Sequence, residues 1–308
     1  MICEKITVTA DPRYPLKGLL TLPDDLSAPV PAVVFVHGSG ASNMDEKVGK
    51  LTPFKDLAEG LAKHGIASIR YDKRSKAHGL KMIRETTPLT VEAETVRDAV
   101  AAAALLRQDR RIDPSRVYIV GHSMGAMLAP RIDAQGGDFR GLVLMAGSPR
   151  KLEEILLDQQ DAAMHGLPVL LRPLVAKQME KMRKQFAGMY QLTDEEAKKV
   201  KMGNGTTLYY FKEMGEHAAP RYLEQSQKPL LILQGEQDFQ ATAAVDFAGY
   251  KALLGDRDHV TFKLYHGLNH AFVPALSSSI LKAKQEYATE RHIGPEVIAD
   301  IANWIRAN

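Results

Sequence analysis

Residues 117–125 read Val-Tyr-Ile-Val-Gly-His-Ser-Met-Gly, and this stretch decides the fold. The first four residues form a β-branched, apolar run typical of a buried strand, and residues 124–134 have the periodicity of a helix. A serine between a strand and a helix, flanked two residues away by Gly121 and Gly125, is typical of a nucleophile on a tight turn. Larger side chains at the two glycine positions would collide with the turn. We therefore predict that Ser123 is a nucleophile exposed above the sheet.

Short apolar runs alternate with amphipathic helical stretches on both sides of this motif. The alternation predicts an α/β fold with a mostly parallel central sheet flanked by helices. Strands are predicted at residues 5–9, 16–22, 32–36, 66–71, 116–120, 141–146, 230–234 and 259–265, the first two antiparallel. Helices are predicted at residues 53–64, 90–107, 124–134 and 295–306, with Thr90 as the N-cap of the second.

One segment interrupts this alternation. About eighty residues between the predicted strands at 141–146 and 230–234 show helical periodicity and no convincing strand. We interpret residues 151–227 as an inserted helical cap, and residues 1–150 together with 228–308 as the core. The insertion holds six of the 12 methionines, with 11 basic and 11 acidic residues. The methionines indicate either ordinary helix packing or an adaptable lining for varied acyl groups.

A serine hydroxyl needs a base, and in this arrangement the chain order is serine, acid, histidine. Of ten histidines, His270 follows the last predicted strand by the length of a turn, and we predict that it is the base. His266 is the alternative, although it lies at the strand end. The acid should follow the strand at 230–234, where Asp238 is preferred to Glu236 because it lies deeper in the loop. Asp238 would accept a hydrogen bond from His270 and fix its tautomer.

A tetrahedral oxyanion needs two N–H donors. The backbone N–H of Met124 is the first, because Met124 follows the predicted nucleophile. The second should come from the loop after the strand at 32–36, which reads His-Gly-Ser-Gly at residues 37–40. We assign it to the backbone N–H of Ser39, with Gly38 and Gly40 as alternatives. The histidine of this stretch is interpreted as a brace for the loop.

Taken together, the motifs resemble the α/β-hydrolase superfamily, in particular its bacterial carboxylesterases and acyl hydrolases. The shared motifs are HGSG at 37–40, YDKR at 71–74, GHSMG at 121–125 and GLNH at 267–270. The resemblance implies an α/β-hydrolase fold and hydrolysis of short acyl esters through an acyl-enzyme, with a small-molecule ester as partner and no cofactor. The balanced charges of the predicted cap extend this expectation to neutral carboxylic esters of short to medium chain length. The superfamily also includes peptidases, amidases and thioesterases, which remain the alternatives.

Composition and spacing argue against other classes of protein and site. The chain has 40 basic and 37 acidic residues without a dense basic stripe, so nucleic-acid binding is not expected. No run of 18 apolar residues predicts a membrane span, and no signal peptide is recognisable, so a cytoplasmic location is expected. His266 and His270 have the spacing of a zinc motif but not its helix, so no metal is expected. The charged residues 72–74 are interpreted as a salt-bridged brace for the oxyanion loop rather than as an anion site.

Overall fold

The computed structural model describes residues 1–85, 89–203, 205–255 and 257–308 of the chain. Ten strands are found in this part of the chain: β1 (Ile2–Val8), β2 (Leu16–Leu22), β3 (Val30–Val36), β4 (Ala67–Tyr71), β5 (Ile112–His122), β6 (Leu142–Met145), β7 (Lys201–Gly203), β8 (Thr206–Thr207), β9 (Leu230–Gly235) and β10 (Val260–Tyr265). The α-helices of the same residues are α1 (Pro53–Lys63), α2 (Arg74–Arg84), α3 (Arg97–Gln108), α4 (Met124–Ile132), α5 (Leu152–His165), α6 (Arg172–Gly188), α7 (Asp194–Lys199), α8 (Leu208–Glu216), α9 (Pro220–Leu223), α10 (Ala248–Leu254), α11 (Ala283–Glu286) and α12 (Pro295–Ala307). Among these described helices none is long and apolar enough to cross a bilayer.

Eight of the strands form one sheet in the order β1-β2-β4-β3-β5-β6-β9-β10. β2 is antiparallel to both of its neighbours, β1 and β4, and the other neighbouring strands of the sheet are parallel. The prediction of a mostly parallel sheet with an antiparallel start is therefore confirmed. Because parallel strands end at the same edge of a sheet, the loops after β3, β5, β9 and β10 meet there.

Helices cover both faces of the sheet, and β3 shows how its residues divide between them. Val34 and Val36 join the core on the side of α3 and α4, whereas Val33 and Phe35 join the core formed with α1 and α12. All four side chains are fully buried. A strand covered on both faces has no polar side, which explains why this stretch reads as a continuous apolar run.

The segment between β6 and β9 contains the five helices α5 to α9 and a hairpin of β7 and β8 that was not predicted. The hairpin strands are only two or three residues long and stand apart from the main sheet, so they carry no buried apolar run that would reveal them. Tyr210 and Met214 of α8 belong to the main core. Arg131 of α4 also forms a buried ion pair with Glu213 of α8 at 2.7 Å, and Glu213 accepts the backbone N–H of Val91.

Two helical stretches differ from the prediction. The side chain of Thr90 accepts the backbone N–H of Ala93, which confirms Thr90 as an N-cap, but Glu92–Val96 is wound as a π-helix before α3 begins. Helix α2 was not predicted. Most of α2 is exposed, with only Arg74 and Met82 buried, so it lacks the apolar stripe by which a packed helix is recognised.

Candidate active site

Ser123 lies on the turn between β5 and α4 with a left-handed backbone, φ 55° and ψ −120°. Such a conformation costs a non-glycine residue about 1–3 kcal/mol, so the surrounding structure must enforce it. The N–H of Ser123 donates to the carbonyl oxygen of Met145 at 2.8 Å. A Cβ on Gly121 would lie 2.3 Å from the Gly125 carbonyl oxygen, and one on Gly125 would lie 2.1 Å from that of Val36. Close backbone approach therefore requires glycine at both positions.

The predicted base and acid are in direct contact. Nδ1 of His270, in the loop after β10, is 2.7 Å from Oδ2 of Asp238, in the loop after β9, and both side chains are buried. The Nδ1–H donates to the carboxylate, which leaves Nε2 as the accepting nitrogen of the ring. His270 and Ser123 line the same small cavity, whose volume is about 40 Å³. The structure thus places the predicted acid against the predicted base, and the base in the same cavity as the predicted nucleophile.

Three further hydrogen bonds fix the Asp238 carboxylate. Oδ1 accepts the backbone N–H groups of Gln240 and Ala241 at 2.7 and 3.0 Å. Oδ2 accepts the side-chain amide of Gln234 at 2.9 Å. The prediction missed Gln234, although a polar residue at the end of the apolar run Leu-Leu-Ile-Leu is a signal that could have identified it.

The two alternatives for base and acid lie together on the surface. Nδ1 of His266 is 2.9 Å from Oε1 of Glu236, and the His266 side chain is 87% exposed. Neither residue belongs to the described lining of the cavity at Ser123. Their geometry is that of a solvated ion pair, which contributes little to stability.

A buried glutamate holds the loop that carries His270. Glu286 accepts the side-chain amide of the neighbouring Asn269 at 2.7 Å and the backbone N–H of Leu276 at 3.0 Å. Burial would raise the pKa of Glu286, but these hydrogen bonds and the Arg291 guanidinium keep it below its ordinary value. Glu286 was not predicted, because its partners lie in a loop whose course the sequence does not reveal.

The loop after β3 passes directly beside Ser123. A Cβ on Gly38 would lie 3.2 Å from the Ser123 Cβ, so only glycine allows this approach without displacement. The N–H of Gly38 donates to Oε1 of Glu46 at 2.6 Å. Gly38 was one of the alternatives for the second oxyanion donor. Because its N–H already donates to the Glu46 carboxylate, it is not free to donate to an oxyanion.

The next peptide, between Gly38 and Ser39, is held by a buried lysine. Nζ of Lys73 donates to the carbonyl oxygen of Gly38 at 2.9 Å. A trans peptide directs its C=O and the following N–H in opposite directions, so this bond turns the N–H of Ser39 away from Lys73. Ser39 lines the small cavity together with Ser123, whereas Gly40 does not belong to its described lining. Met124 begins α4, and the first N–H groups of a helix have no acceptor within it.

Internal ion pairs surround Lys73. Its Nζ lies 3.5 Å from Oε2 of Glu94, and the hydroxyl of Tyr210 donates to the same oxygen at 2.9 Å. Burial lowers the pKa of Lys73 below its ordinary value, although the Glu94 carboxylate acts against this fall. The adjacent Arg74 pairs with the buried Asp98 at 2.5 Å. These contacts match the interpretation of residues 72–74 as a brace.

His122, the residue before Ser123, contacts both the loop after β10, which carries His270, and the segment after β3, which carries Glu46. Its Nε2 lies 2.8 Å from the carbonyl oxygen of His270, so Nε2 carries the hydrogen. Its Nδ1 lies 3.0 Å from Oε2 of Glu46, an ion-pair distance without the alignment of a hydrogen bond. Burial opposes a charge on His122, but the Glu46 carboxylate raises its pKa above the ordinary value. Burial likewise opposes a charge on Glu46, and His122 keeps the pKa of Glu46 below its ordinary value.

His37 has the position of a brace. Its Nε2 lies 3.0 Å from the carbonyl oxygen of Asn43, and its ring packs against Phe54 and Tyr71. Burial lowers the pKa of His37 to about 4. The ring is therefore neutral at pH 7.

A second, larger cavity adjoins the first. Its volume is about 600 Å³, and it shares Ser39, Met124, Leu152 and Leu156 with the small cavity. None of the six methionines of the insertion belongs to the described lining of either cavity. Three of them are buried among the helices, namely Met179, Met189 and Met214. Of the two alternatives for these methionines, the described positions therefore favour helix packing over an acyl lining.

Comparison with known proteins gives concordant matches. A model of the alpha/beta hydrolase family matches residues 33–283. Esterase EstD of Thermotoga maritima is 34% identical over 290 residues, which are 94% of this chain, and the chain spans only 65% of the length of EstD. Est1E from Butyrivibrio proteoclasticus has a TM-score of 0.59 at 14% identity, with 99% of each chain covered. An esterase from Pyrococcus furiosus has a TM-score of 0.59 at 15% identity, over 99% of this chain and 91% of that one. At such identities the two structures show a shared fold.

Proposed function

The chain belongs to the alpha/beta hydrolase family, and on that premise we propose that it is a serine esterase acting through Ser123, His270 and Asp238. The observation that carries the proposal is the buried 2.7 Å contact between Nδ1 of His270 and Asp238. It leaves Nε2 as the proton acceptor of a ring that lines the same cavity as Ser123. The 34% identity to EstD supports an ester, rather than an amide, as the substrate.

The proposed reaction has two halves. The Ser123 Oγ attacks the ester carbonyl carbon while Nε2 of His270 takes the hydroxyl proton. The bond to the alcohol oxygen then breaks, and His270 returns the proton to that oxygen. Water, activated by the same nitrogen, attacks the acyl-enzyme and releases the acid. Asp238 stabilises the imidazolium and holds the ring in the reactive tautomer.

We assign the oxyanion to the backbone N–H groups of Ser39 and Met124. Two observations support Ser39 over its neighbours. The N–H of Gly38 is engaged by Glu46, and the hold of Lys73 on the Gly38 carbonyl turns the following N–H the other way. Donors fixed before the substrate arrives stabilise developing charge without reorganisation, and one such donor is worth about 10²- to 10³-fold in kcat.

We further propose that residues 151–227 act as a cap over this site. Leu152 and Leu156 of α5 contribute to both cavities, and Tyr210 and Phe211 of α8 contribute to the larger one. The charges of the segment balance, and an unpaired buried charge is costly. The proposed substrates are therefore neutral esters of short to medium acyl chains, because a bounded cavity limits the chain length.

A matched set of substrates tests the reaction class. Ethyl butyrate, S-ethyl thiobutyrate and N-ethylbutanamide share the same acyl and ethyl groups and differ only in the atom that leaves. We expect kcat/KM, measured for all three substrates as butyrate released and quantified by chromatography, to be highest for ethyl butyrate. A fluorophosphonate probe should label the wild type but not Ser123→Ala. Faster release of ethanethiol or ethylamine would identify a thioesterase or an amidase instead. A wild-type protein that is folded and unlabelled would refute the serine hydrolase.

A further inference from the structure

The two cavities at the candidate site differ in which reactive groups they contain. Ser123 and His270 line the small cavity of about 40 Å³, and neither belongs to the described lining of the large cavity of about 600 Å³. The two cavities share Ser39, Met124, Leu152 and Leu156, and the N–H groups of the first two residues are those assigned to the oxyanion. An ester bound at the site therefore has one end on the His270 side and the other on the far side of the oxyanion donors.

The small cavity has a restricted and partly polar wall. Ser148, Gln159 and Gln240 contribute to it together with the reactive side chains. Its volume of about 40 Å³ is far below the 600 Å³ of the large cavity, so it suits the smaller of the two groups of an ester. The side-chain amide of Gln159 donates to the carbonyl oxygen of Gln240 at 2.9 Å, which ties two sides of this wall together.

The large cavity has a mostly apolar wall. Leu80 and Ile83 of α2 contribute to it, as do Tyr210 and Phe211 of α8. The carboxylate of Glu94 also reaches this wall, where Lys73 and the Tyr210 hydroxyl already engage it. A neutral, apolar chain fits such a cavity without leaving a buried charge unpaired.

Reaction chemistry fixes which half of the ester lies in which cavity. As the bond between the carbonyl carbon and the alcohol oxygen breaks, His270 must give its proton to that oxygen, so the alcohol lies on the His270 side. The carbonyl oxygen lies at the donors, and the acyl chain leaves the carbonyl carbon in the remaining direction. We infer that the acyl group lies in the large cavity and the alcohol in the small one. The substrates are then esters of small alcohols with larger, neutral, apolar acids, an inference that rests on the proposed esterase function.

Two isomeric esters test this inference. Methyl hexanoate and pentyl acetate have the same atoms and nearly the same hydrophobicity, but the long chain belongs to the acid in the first and to the alcohol in the second. We expect kcat/KM, measured by pH-stat titration, to be at least about tenfold higher for methyl hexanoate, since a cavity that excludes even one methylene discriminates by roughly that factor. Comparable or higher kcat/KM for pentyl acetate would overturn the inference and leave the esterase proposal intact.

A pair of variants locates the acyl group. Ile83 lines only the large cavity, and its side chain is 59% exposed, so Ile83→Trp fills the cavity without disturbing the core. Leu170, 93% exposed in the insertion and outside the described lining of both cavities, gives Leu170→Trp as the matched control. We expect Ile83→Trp to lower kcat/KM for methyl hexanoate at least about tenfold and for methyl acetate less than about twofold, with no effect of Leu170→Trp.

The remaining outcomes separate the two proposals. An equal loss on both methyl esters in Ile83→Trp would show that the large cavity does not hold the acyl chain. Hydrolysis of ethyl butyrate without hydrolysis of methyl hexanoate would also overturn the inference. If the folded protein hydrolysed none of these esters, the proposed esterase function itself would fail, and the inference with it.

Discussion

Lys73→Met removes the hydrogen bond that orients the proposed oxyanion donor. Methionine matches the length of the lysine chain, and the site is 1% exposed, so the substitution keeps the packing and deletes the ammonium group. The Gly38 carbonyl then loses its 2.9 Å partner, while Glu46 still holds the N–H on the other side of that residue. The N–H of Ser39 remains in place but is no longer fixed in direction.

The expected loss follows from this partial release. Deleting an oxyanion donor costs about 10²- to 10³-fold in kcat. In Lys73→Met the Ser39 N–H is still present and Glu46 still holds the preceding residue, Gly38, so we expect a smaller loss of about 10- to 100-fold in kcat. KM for ethyl butyrate should change by less than about threefold, because the donors bind the oxyanion much more strongly than the ground-state carbonyl. Steady-state kinetics on ethyl butyrate measures both parameters.

Loss of the ammonium group also lowers the free energy of unfolding, and a second variant separates this effect from the effect on kcat. Glu94 is 3% exposed and lies 3.5 Å from Lys73, so Lys73→Met leaves the Tyr210 hydroxyl as the partner of its carboxylate among the described residues. Breaking a buried pair on one side costs about 3–5 kcal/mol. Adding Glu94→Gln removes the unpaired charge, and urea unfolding should show that most of the stability returns. A return of kcat to within about threefold of wild type in the double variant would refute the orienting role of Lys73.

Three further predictions follow from the site. Ser123→Ala should lose at least on the order of 10⁴-fold in kcat with an unchanged circular dichroism spectrum, and turnover within tenfold of wild type would contradict the assignment of the nucleophile. Asp238→Asn should lower kcat by about 10⁴-fold with little change in KM, because the amide favours the wrong tautomer of His270, whereas a harmless substitution would point to another acid. His37 has a pKa of about 4 when folded, below its ordinary 6.5, so the unfolded chain binds the extra proton between these values. Its contribution to stability is therefore present above about pH 6.5 and falls by about 3 kcal/mol as the pH drops to about 4. Urea unfolding at pH 7 and 4.5 should show a smaller acid loss in His37→Asn than in wild type, and equal losses would exclude His37 as the group responsible.

The sequence predicted the parts of the fold that depend on local patterns. The buried strands and the turn at Ser123 were predictable because apolar periodicity and glycine spacing are properties of adjacent residues. Helix α2 was missed because Leu80 and Ile83 line a cavity instead of packing on the sheet. The hairpin of β7 and β8 was missed because it is too short to carry a pattern.

Residues that act through distant partners were not predictable in the same way. Glu46 engages Gly38 and His122, and Glu286 supports the loop of His270, but these contacts join parts of the chain whose separation is set by the fold. Their carboxylates look like ordinary surface charges in the sequence. The methionines of the insertion left two alternatives open, because composition alone does not distinguish an adaptable lining from helix packing, and that choice depends on their positions in the fold.

The buried pair between Arg131 and Glu213 ties α8, which contributes Tyr210 and Phe211 to the large cavity, to the core. Lifting α8 from the core would break this pair, and breaking a buried pair on one side costs about 3–5 kcal/mol. Since each 1.4 kcal/mol is a factor of ten, the lifted form would be populated in fewer than about one molecule in a hundred. Leu80 and Ile83 of α2, which also contribute to this cavity, are 75% and 59% exposed, but α2 is itself tied to the core by the buried pair of Arg74 with Asp98. Each of these two helices is therefore held by a buried ion pair, while the exposed side chains of Leu80 and Ile83 can change rotamer without breaking either pair.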